Sequence, residues 1–484
     1  MLPTANWLST VRNSLLLKGI KEQVLSNKNP QNKIKRILIA NRGEIAVRVI
    51  RTCREMGIET VAVYSTADKD NLHVRLADKA VCIGPPPSSG SYLKMENIVM
   101  AAMHTQCEAI HPGVGFLSEN AAFARLVNDS GLIFIGPDPD VIELLGDKVR
   151  ARETAQKYGL PITPGTGAVN RAGADEKDGK AAEASYMEAV KKLGFPVIIK
   201  AAAGGGGKGM RIVRKIEDLA ENISIASREA ESNFADGTVF IERYLENPRH
   251  VELQILADGN GNVAILGERD CTVQKNHQKL IEETPSPGVT DKIRSDMIAG
   301  AVPMFSELKY CGAGTIEFLV DNNEFFFMEV NARVQVEHPV SEFVTVIDII
   351  RQQILACTQG RMEIDPGAIT FKGWSVECRI NTMTPGTVTR LEIPGGPGVR
   401  FDSFLYNGCF VPPNYDSMVA KLIVYGRDRD HALAKMDRAL GELVIEGIKT
   451  NIERQRLIIR HPVFQYGSFG TSWYADMEKE ISNG

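Results

Sequence analysis

The strongest chemical signal in the sequence is a pair of acidic residues on two adjacent predicted strands, within GAGTIEFLVDNNEFFFMEVNARVQVEH (residues 312–338). The first strand carries Glu317. The second carries Glu329, with Asn331 further along the same face because side chains alternate along a strand. Carboxylate and amide oxygens suit Mg²⁺ or Mn²⁺, which share their coordination shell with substrate phosphates. Solvated strand charges are the alternative, and Glu324 in the connecting turn is assigned to them. The pair predicts a divalent cation site.

Directly after this hairpin, Arg333, Gln335 and Glu337 alternate and are predicted to share one face. A guanidinium can donate two parallel hydrogen bonds to a small oxyanion, and a carboxylate held beside it can take a proton from that anion. A surface ion pair between Arg333 and Glu337, worth at most about 1 kcal/mol, is the alternative. The pattern favours a pocket for a small oxyanion.

Basic and amide side chains gather upstream, in ERYLENPRHVELQ and DCTVQKNHQKL. They are His250, Gln274, His277 and Lys279. A lone histidine is more often structural, but several such groups together are typical of a wall that faces nucleotide phosphates or ribose. Lys148 and Lys200 strengthen this interpretation, since Lys200 ends an apolar run where phosphates are the natural counter-ion of an ammonium.

Four consecutive glycines follow in AAAGGGGKGM (residues 201–210). The spacing G-x-G-x-x-G is present, but the next residues, RIV, predict a strand where the dinucleotide fingerprint needs a helix. The P-loop pattern fails because glycine follows Lys208. The remaining interpretations are a lid hairpin that closes over phosphates, mobile when the pocket is empty, and a merely flexible surface hairpin.

Composition restricts the class of protein. The chain has 484 residues, 43% of them hydrophobic and 24% charged, and a formal charge of -4, which favours neither nucleic acid nor a membrane surface as a partner. This length predicts about two to four domains. The eight cysteines are scattered without metal-binding spacing, which indicates reduced thiols.

The elements that must position these residues fall into four predicted segments. Residues 1–33 are an extension, either a docking helix or an organellar transit peptide, since apolar residues recur there at helical spacing. Strands alternate with helices over 34–147, which predicts a parallel α/β domain. Residues 148–345 form the second domain, with the lid at about 163–245 and a surface insertion at 170–184, and residues 346–484 form the third.

Several of these motifs together resemble the biotin carboxylases. PVIIKAAAGGGGKGM, ENPRHVELQ, GAGTIEFL and MEVNARVQVEHPVSE are similar to the ATP-grasp domain of that family. RILIANRGEIAVRVIR and HPGVGFLSEN are similar to its N-terminal domain, and VECRIN and VPPNYDSM to its C-terminal domain. The resemblance implies multi-domain α/β and α+β architecture. It also implies a two-step reaction, in which ATP phosphorylates bicarbonate to carboxyphosphate and the carboxyl group then passes to the ureido nitrogen of biotin.

The resemblance also implies a role for each matching residue. Contacts to ATP would come from Lys148, Lys200, Met210, Leu245, His277 and Leu319, from Gly205 and Gly206 in the lid, and from the backbone of Glu242 and Arg243. His250 and Gln274 would lie near ribose or phosphates, and Glu317 and Glu329 would hold Mg²⁺ with Asn331 close by. Bicarbonate would meet Arg333, Lys279 and the backbone around Gln335 and Val336. Glu337 would be the general base, Arg379 would stabilise the biotin enolate, and Tyr415 and Asp416 would lie by biotin.

Two departures from the family pattern are visible. After Asn381 the sequence continues TMTPG, a shorter segment than the family usually has, which predicts a different loop near biotin or at a dimer contact. Arg243 stands where lysine is common, a change that matters little if only its backbone meets adenine.

The chain carries no A-M-K-M biotinylation motif and leaves no length for a carboxyltransferase, so biotin is expected on a separate carrier protein. The first hypothesis is the biotin carboxylase subunit of acetyl-CoA carboxylase, a cytoplasmic homodimer that catalyses the first step toward malonyl-CoA and fatty acids. The alternatives are the same subunit of a pyruvate or propionyl-CoA carboxylase, and a non-catalytic nucleotide-binding scaffold. A transit peptide at 1–33 would instead place the protein in an organelle matrix.

Overall fold

The computed structural model of the chain describes residues 34–166, 187–202, 210–234 and 236–483. The predictions for 1–33, for the 170–184 insertion, and for Gly205, Gly206 and Lys208 of the lid lie outside the described residues. All eight cysteines lie within them and are free thiols. None of the described helices combines the length and the apolar character needed to cross a membrane.

A parallel five-stranded sheet, with the order β3-β2-β1-β4-β5, begins the described chain. Its strands are β1 (Arg36–Ile39), β2 (Glu59–Ser65), β3 (Lys79–Gly84), β4 (Ala109–His111) and β5 (Ile133–Phe134). Its helices are α1 (Gly43–Glu55), α2 (Leu72–Leu76), α3 (Met95–His104), α4 (Ala121–Asp129) and α5 (Pro139–Gly146). Strand β1 reads RILI and is almost wholly buried, as expected for a parallel strand covered on both faces. The predicted parallel α/β fold is confirmed.

Helix α6 (Lys148–Lys157) leads toward a small antiparallel sheet with the order β7-β6-β8. Its strands are β6 (Val197–Ala201), β7 (Arg211–Val213) and β8 (Val239–Arg243), covered by α7 (Leu219–Phe234) and a helical segment at 187–193. Apolar residues of these elements, including Val197, Ile199 and Leu219, form a core of their own. The strand predicted after the glycines is therefore β7, and a separate small body carries Lys200.

An eight-stranded sheet holds most of the polar residues singled out in the sequence. Its order is β13-β12-β9-β10-β11-β14-β19-β17, antiparallel throughout. The strands are β9 (Arg249–Asp258), β10 (Val263–Lys275), β11 (Gln278–Thr284), β12 (Cys311–Asp321), β13 (Glu324–Asn331), β14 (Trp374–Asn381), β17 (Val399–Ser403) and β19 (Met418–Gly426). Because β11 pairs with β14, one sheet continues across the predicted boundary at residue 345.

The remaining elements pack on or beside this sheet. The helices are α8 (Asp291–Glu307), α9 (His338–Thr345), α10 (Ile349–Gln359), α11 (Arg429–Glu442), α12 (Ile452–Arg460), α13 (Pro462–Tyr466) and α14 (Trp473–Asn483). Two-stranded pairs are formed by β15 (Gly386–Thr387) with β18 (Phe410–Val411), and by β16 (Arg390–Glu392) with β20 (Val444–Glu446). The largest apolar core joins Leu38 and Ile110 of the parallel sheet to Leu253 and Phe318 of the large sheet, so both sheets support the site from one packed interior.

Candidate active site

The predicted carboxylate pair is formed across the β12–β13 hairpin: a register shift between Glu317 and Phe318 places Glu317 of β12 opposite Glu329 of β13. Burial and the neighbouring Glu317 raise the pKa of Glu329. Burial would also raise the pKa of Glu317, but Lys279 and His250 hold it well below its usual value. Cations of the protein relieve only part of the repulsion between these two carboxylates. Two such oxygen donors match the ligands that Mg²⁺ prefers.

Asn331 and His250 both contact Glu317. The Asn331 amide nitrogen donates to Glu317 Oε1 at 2.9 Å, while its oxygen accepts from Arg333 at 2.9 Å. Glu317 Oε2 lies 2.8 Å from His250 Nε2, and His250 Nδ1 lies 2.7 Å from Gln274 Nε2. These contacts orient a carboxylate that would hold the metal. The resemblance implied ribose or phosphate contacts for His250 and Gln274; in the structure His250 contacts Glu317, and Gln274 contacts His250.

The lysines expected at the phosphates lie at the ends of two elements. Lys148 is the first residue of α6, whose N-cap Asp147 accepts from Val149 N–H at 2.9 Å, and burial lowers the pKa of Lys148. Lys200 near the end of β6 donates to Glu242 at 2.5 Å, and Arg152 donates to the same buried carboxylate. The structure thus supplies Lys200 with a protein counter-ion that the sequence did not indicate.

The other residues expected to contact ATP lie on or beside several different strands. Leu319 lies on β12, Met210 precedes β7, and Leu245 is buried just after β8. Arg243 ends β8, with its N–H donating to Pro164 O at 2.8 Å and its guanidinium 5.2 Å from the Phe326 ring centroid. The Arg243 side chain is therefore engaged with an aromatic ring. His277 is exposed, in the left-handed turn between β10 and β11.

Lys279 lies at the centre of a buried cluster of carboxylates. Its ammonium donates to Glu252 at 2.7 Å, to Glu337 at 2.7 Å and to Glu317 at 3.1 Å. Arg379 donates to the other oxygen of Glu337 at 3.0 Å and to Glu282 at 2.6 Å. Burial would raise the pKa of Glu337, but Lys279 and Arg379 hold it well below its usual value. Glu337 is therefore an ionised carboxylate, able to accept a proton, between two cations.

The expectation that Arg333, Gln335 and Glu337 alternate along a strand is wrong. Residues 332–337 are irregular, because the chain leaves β13 at Asn331 and turns into α9 at His338. Arg333 donates to Glu119 at 2.8 Å, so the alternative ion pair with Glu337 is not formed either. Gln335 donates to Glu317 at 2.8 Å, and all three side chains still contact the cluster or its rim.

Arg269 is the largest fully buried side chain, and the sequence interpretation missed it. Its guanidinium donates to Glu252 at 2.6 Å and to four uncharged acceptors. These are Gln254 at 2.5 Å, Ser341 at 3.1 Å, Thr315 at 3.2 Å and Gln335 at 3.0 Å. The available signal was alternation: His250, Glu252 and Gln254 share one face of β9, which requires a cationic partner in an apolar sheet.

Three family models match the sequence in succession. The biotin carboxylase N-terminal domain matches residues 33–142, the carbamoyl-phosphate synthase L chain ATP binding domain matches 147–362, and the biotin carboxylase C-terminal domain matches 378–476. Biotin carboxylase from Haemophilus influenzae is 49% identical over 443 residues, which cover 90% of this chain and 96% of the relative. The chain belongs to the biotin carboxylase family. It is therefore an ATP-dependent ligase.

Solved structures of family members superpose over nearly the whole chain. The Campylobacter jejuni biotin carboxylase in a beta-gamma-ATP complex has a TM-score of 0.86 at 44% identity, covering 92% of this chain and 99% of its own. The biotin carboxylase domain dimer of Hydrogenobacter thermophilus 2-oxoglutarate carboxylase, in complex with MgADP, ADP and bicarbonate, has a TM-score of 0.85 at 41% identity, covering 93% and 99%. The family thus serves carboxylases of more than one kind.

Within the family pattern, the residues expected by biotin lie where the C-terminal part meets the parallel sheet. Tyr415 hydroxyl donates to Pro86 O at 2.6 Å and lies 2.5 Å from Ser65 Oγ, and Arg42 lies 4.1 Å from the Tyr415 ring centroid. Asp416 is exposed and accepts from Met418 N–H at 2.8 Å.

Backbone hydrogen bonds connect the shorter segment after Asn381 to Ser417 and Lys449. Thr382 N–H donates to Ser417 O at 2.8 Å, and Met383 N–H donates to Lys449 O at 2.7 Å. Met383 itself is 72% exposed. The segment therefore closes by backbone hydrogen bonds and leaves an apolar side chain in solvent.

Proposed function

We propose that this chain is the biotin carboxylase subunit of acetyl-CoA carboxylase, and that the site assembled on the eight-stranded sheet carboxylates biotin with ATP and bicarbonate. The observation that carries the proposal is the Glu337 carboxylate, buried and held ionised between Lys279 and Arg379, beside the Glu317–Glu329 pair. A base of this kind next to a metal-binding pair suits deprotonation of a small oxyanion and attack on a phosphoryl group.

In the first step, Glu337 takes the proton of bicarbonate, and the resulting oxyanion attacks the terminal phosphorus of ATP to give carboxyphosphate and ADP. Glu317 and Glu329 would hold Mg²⁺, which would supply positive charge against the phosphates. Lys279 and Arg333 contribute positive charge beside the anion, which favours its binding over neutral carbon dioxide. In the second step carboxyphosphate releases phosphate as its carboxyl group passes to the ureido nitrogen of biotin, the phosphate takes the proton of that nitrogen, and Arg379 stabilises the biotin enolate.

The proposed assembly follows from the same reaction. Biotin would arrive on a separate carrier protein, a carboxyltransferase subunit would act in trans, and two copies of the chain would form a homodimer, as in the Hydrogenobacter thermophilus dimer. The proposed location is the cytoplasm, with an organelle matrix as the alternative. A pyruvate or propionyl-CoA carboxylase is the alternative assembly, since acceptor choice belongs to the transferase.

The chemistry is tested by ADP release with Mg·ATP, bicarbonate and free biotin. Glu337→Gln should abolish bicarbonate-dependent ADP release while leaving nucleotide binding intact, because the amide keeps the shape of the carboxylate and loses its basicity. Glu307→Gln is the matched control, since Glu307 is 60% exposed and forms its ion pair with the exposed Lys157. ADP release that is independent of bicarbonate, or normal turnover in Glu337→Gln, would refute the assignment.

The assembly needs a separate experiment. Affinity purification of the chain from its native cells should recover a biotinylated protein and a transferase, and the purified assembly should carboxylate acetyl-CoA in preference to propionyl-CoA or pyruvate. If the assembly prefers another acceptor, the chain is a subunit of the alternative carboxylase, and the proposed site chemistry is unchanged.

A further inference from the structure

Two buried side chains hold consecutive carbonyl groups of the irregular segment 332–337. His338 Nδ1 lies 2.7 Å from Gln335 O, and since a carbonyl can only accept, that nitrogen carries the hydrogen and donates. Lys421 Nζ donates to Val336 O at 2.7 Å. Both side chains are 0% exposed, so the two contacts are made in the interior beneath the segment.

The same contacts decide where the neighbouring N–H groups point. The Gln335–Val336 and Val336–Glu337 peptides are trans, and in a trans peptide the N–H and the C=O point in opposite directions. Val336 N–H therefore points away from His338, and Glu337 N–H points away from Lys421. Among the described residues, no backbone or side-chain acceptor lies within hydrogen-bond distance of either N–H.

The environment keeps both side chains in the required state. Burial, with the nearby charges of Lys421 and Arg48, lowers the pKa of His338 well below its usual value, so the ring is neutral with its single hydrogen on Nδ1. Its Nε2 has no hydrogen-bond partner. Lys421 lies 3.2 Å from the Glu44 carboxylate and is directly opposite Arg379 in the β14–β19 register, so the two side chains lie on the same face of the sheet.

We infer that His338 and Lys421 are positioning residues for bicarbonate: by holding the carbonyls of Gln335 and Val336, they present the N–H groups of Val336 and Glu337 together as a small oxyanion-binding concavity. Consecutive backbone N–H groups bind anions without the reorganisation that flexible side chains require. The inference rests on the proposed bicarbonate-dependent reaction. It states that two residues outside the substrate pocket set the geometry of the backbone N–H groups that contact bicarbonate.

The decisive comparison uses two substitutions at one position. His338→Leu removes the donor, whereas in His338→Asn the amide nitrogen occupies the place of Nδ1 and can still donate to Gln335 O. His338→Leu should raise the KM for bicarbonate about tenfold, equivalent to about 1.4 kcal/mol, with the KM for ATP changed less than about twofold. His338→Asn should recover most of this loss.

Lys421→Met tests the contact with Val336 O independently. If this single variant folds poorly, Lys421→Met/Glu44→Gln keeps the buried charge balanced. Both should raise the KM for bicarbonate selectively. The matched control is Lys435→Met, because Lys435 also donates to a backbone carbonyl, Pro397 O at 2.9 Å, away from the site. It should leave the KM for bicarbonate unchanged.

The outcomes separate this inference from the proposed function. If the unaltered protein shows no bicarbonate-dependent ADP release, the proposed function fails. If it is active and His338→Leu, His338→Asn and the Lys421 variants share its KM for bicarbonate, the positioning role is refuted. A parallel rise in the KM values for ATP and bicarbonate would also refute it, since general loosening of the fold moves both.

Discussion

Replacing Arg269 with methionine tests whether the guanidinium beneath the site holds the large sheet together. Arg269 and its partner Glu252 are both 0% exposed, and the guanidinium makes five hydrogen bonds. Methionine retains an unbranched stem of similar width and removes every donor. The substitution therefore leaves a carboxylate and four neutral acceptors without this partner, in a region that water does not reach.

The magnitude follows from what each acceptor retains. Glu252 keeps Lys279 at 2.7 Å, so its charge is not left wholly unpaired. Removing one partner of a buried ion pair costs about 3–5 kcal/mol of stability, whereas exposed pairs contribute about 0–1 kcal/mol. Arg269→Met should lower the free energy of unfolding by about 3–5 kcal/mol. The exposed Lys292–Asp296 pair supplies the control, and Lys292→Met should cost less than about 1 kcal/mol.

The assay is urea unfolding followed by far-ultraviolet circular dichroism, for Arg269→Met, Glu252→Gln, Lys292→Met and the Arg269→Met/Glu252→Gln double variant. Because Arg269 and Glu252 contact one another, the double variant should be more stable than the sum of the two single losses predicts. If Arg269→Met is no more destabilising than Lys292→Met, the cost of burying the guanidinium cancels its hydrogen bonds and the reasoning is refuted.

Two further predictions concern the metal pair and the response to pH. Glu329→Gln should raise the Mg²⁺ concentration for half-maximal activity about tenfold or more. Without Mg²⁺ the Glu329→Gln substitution should not destabilise the fold, since burial and Glu317 raise the pKa of Glu329. Glu324→Gln is the control, because Glu324 is 64% exposed, and it should change neither the Mg²⁺ requirement nor the stability. Equal Mg²⁺ requirements in Glu329→Gln and the unaltered protein would contradict the assignment. Burial lowers the pKa of His73 and of His111 to about 4. Because unfolded histidine binds protons near pH 6.5, the free energy of unfolding should fall between about pH 6.5 and 4, by on the order of 3 kcal/mol per histidine. In urea titrations His111→Asn should remove its own share of that dependence, on the order of 3 kcal/mol, and an unchanged slope would exclude His111 as a cause.

Local pattern was sufficient for the elements and for part of the site. The apolar run before Ala40 predicted β1, and two apolar runs around a polar turn predicted the β12–β13 hairpin. Register counted from the turn would place Glu317 opposite Met328; a register shift between Glu317 and Phe318 brings Glu329 opposite Glu317 instead, which the sequence pattern did not indicate. The family resemblance supplied the candidate roles of residues such as Arg379 and Tyr415, which their positions in the sequence do not reveal.

The partners of those residues were decided by the tertiary structure. Lys279 meets Glu337 from 58 positions away, and Arg333 meets Glu119 from 214 positions away. Alternation failed for Arg333, Gln335 and Glu337 because strand periodicity holds only while a neighbouring strand pairs with the chain, and here the chain turns into α9. The sequence by itself determined which side chains stand on which strand face. Only assembly of the sheet determined which charges are buried together, and the cations Lys279 and Arg379 at hydrogen-bond distance keep Glu337 ionised against the effect of its burial.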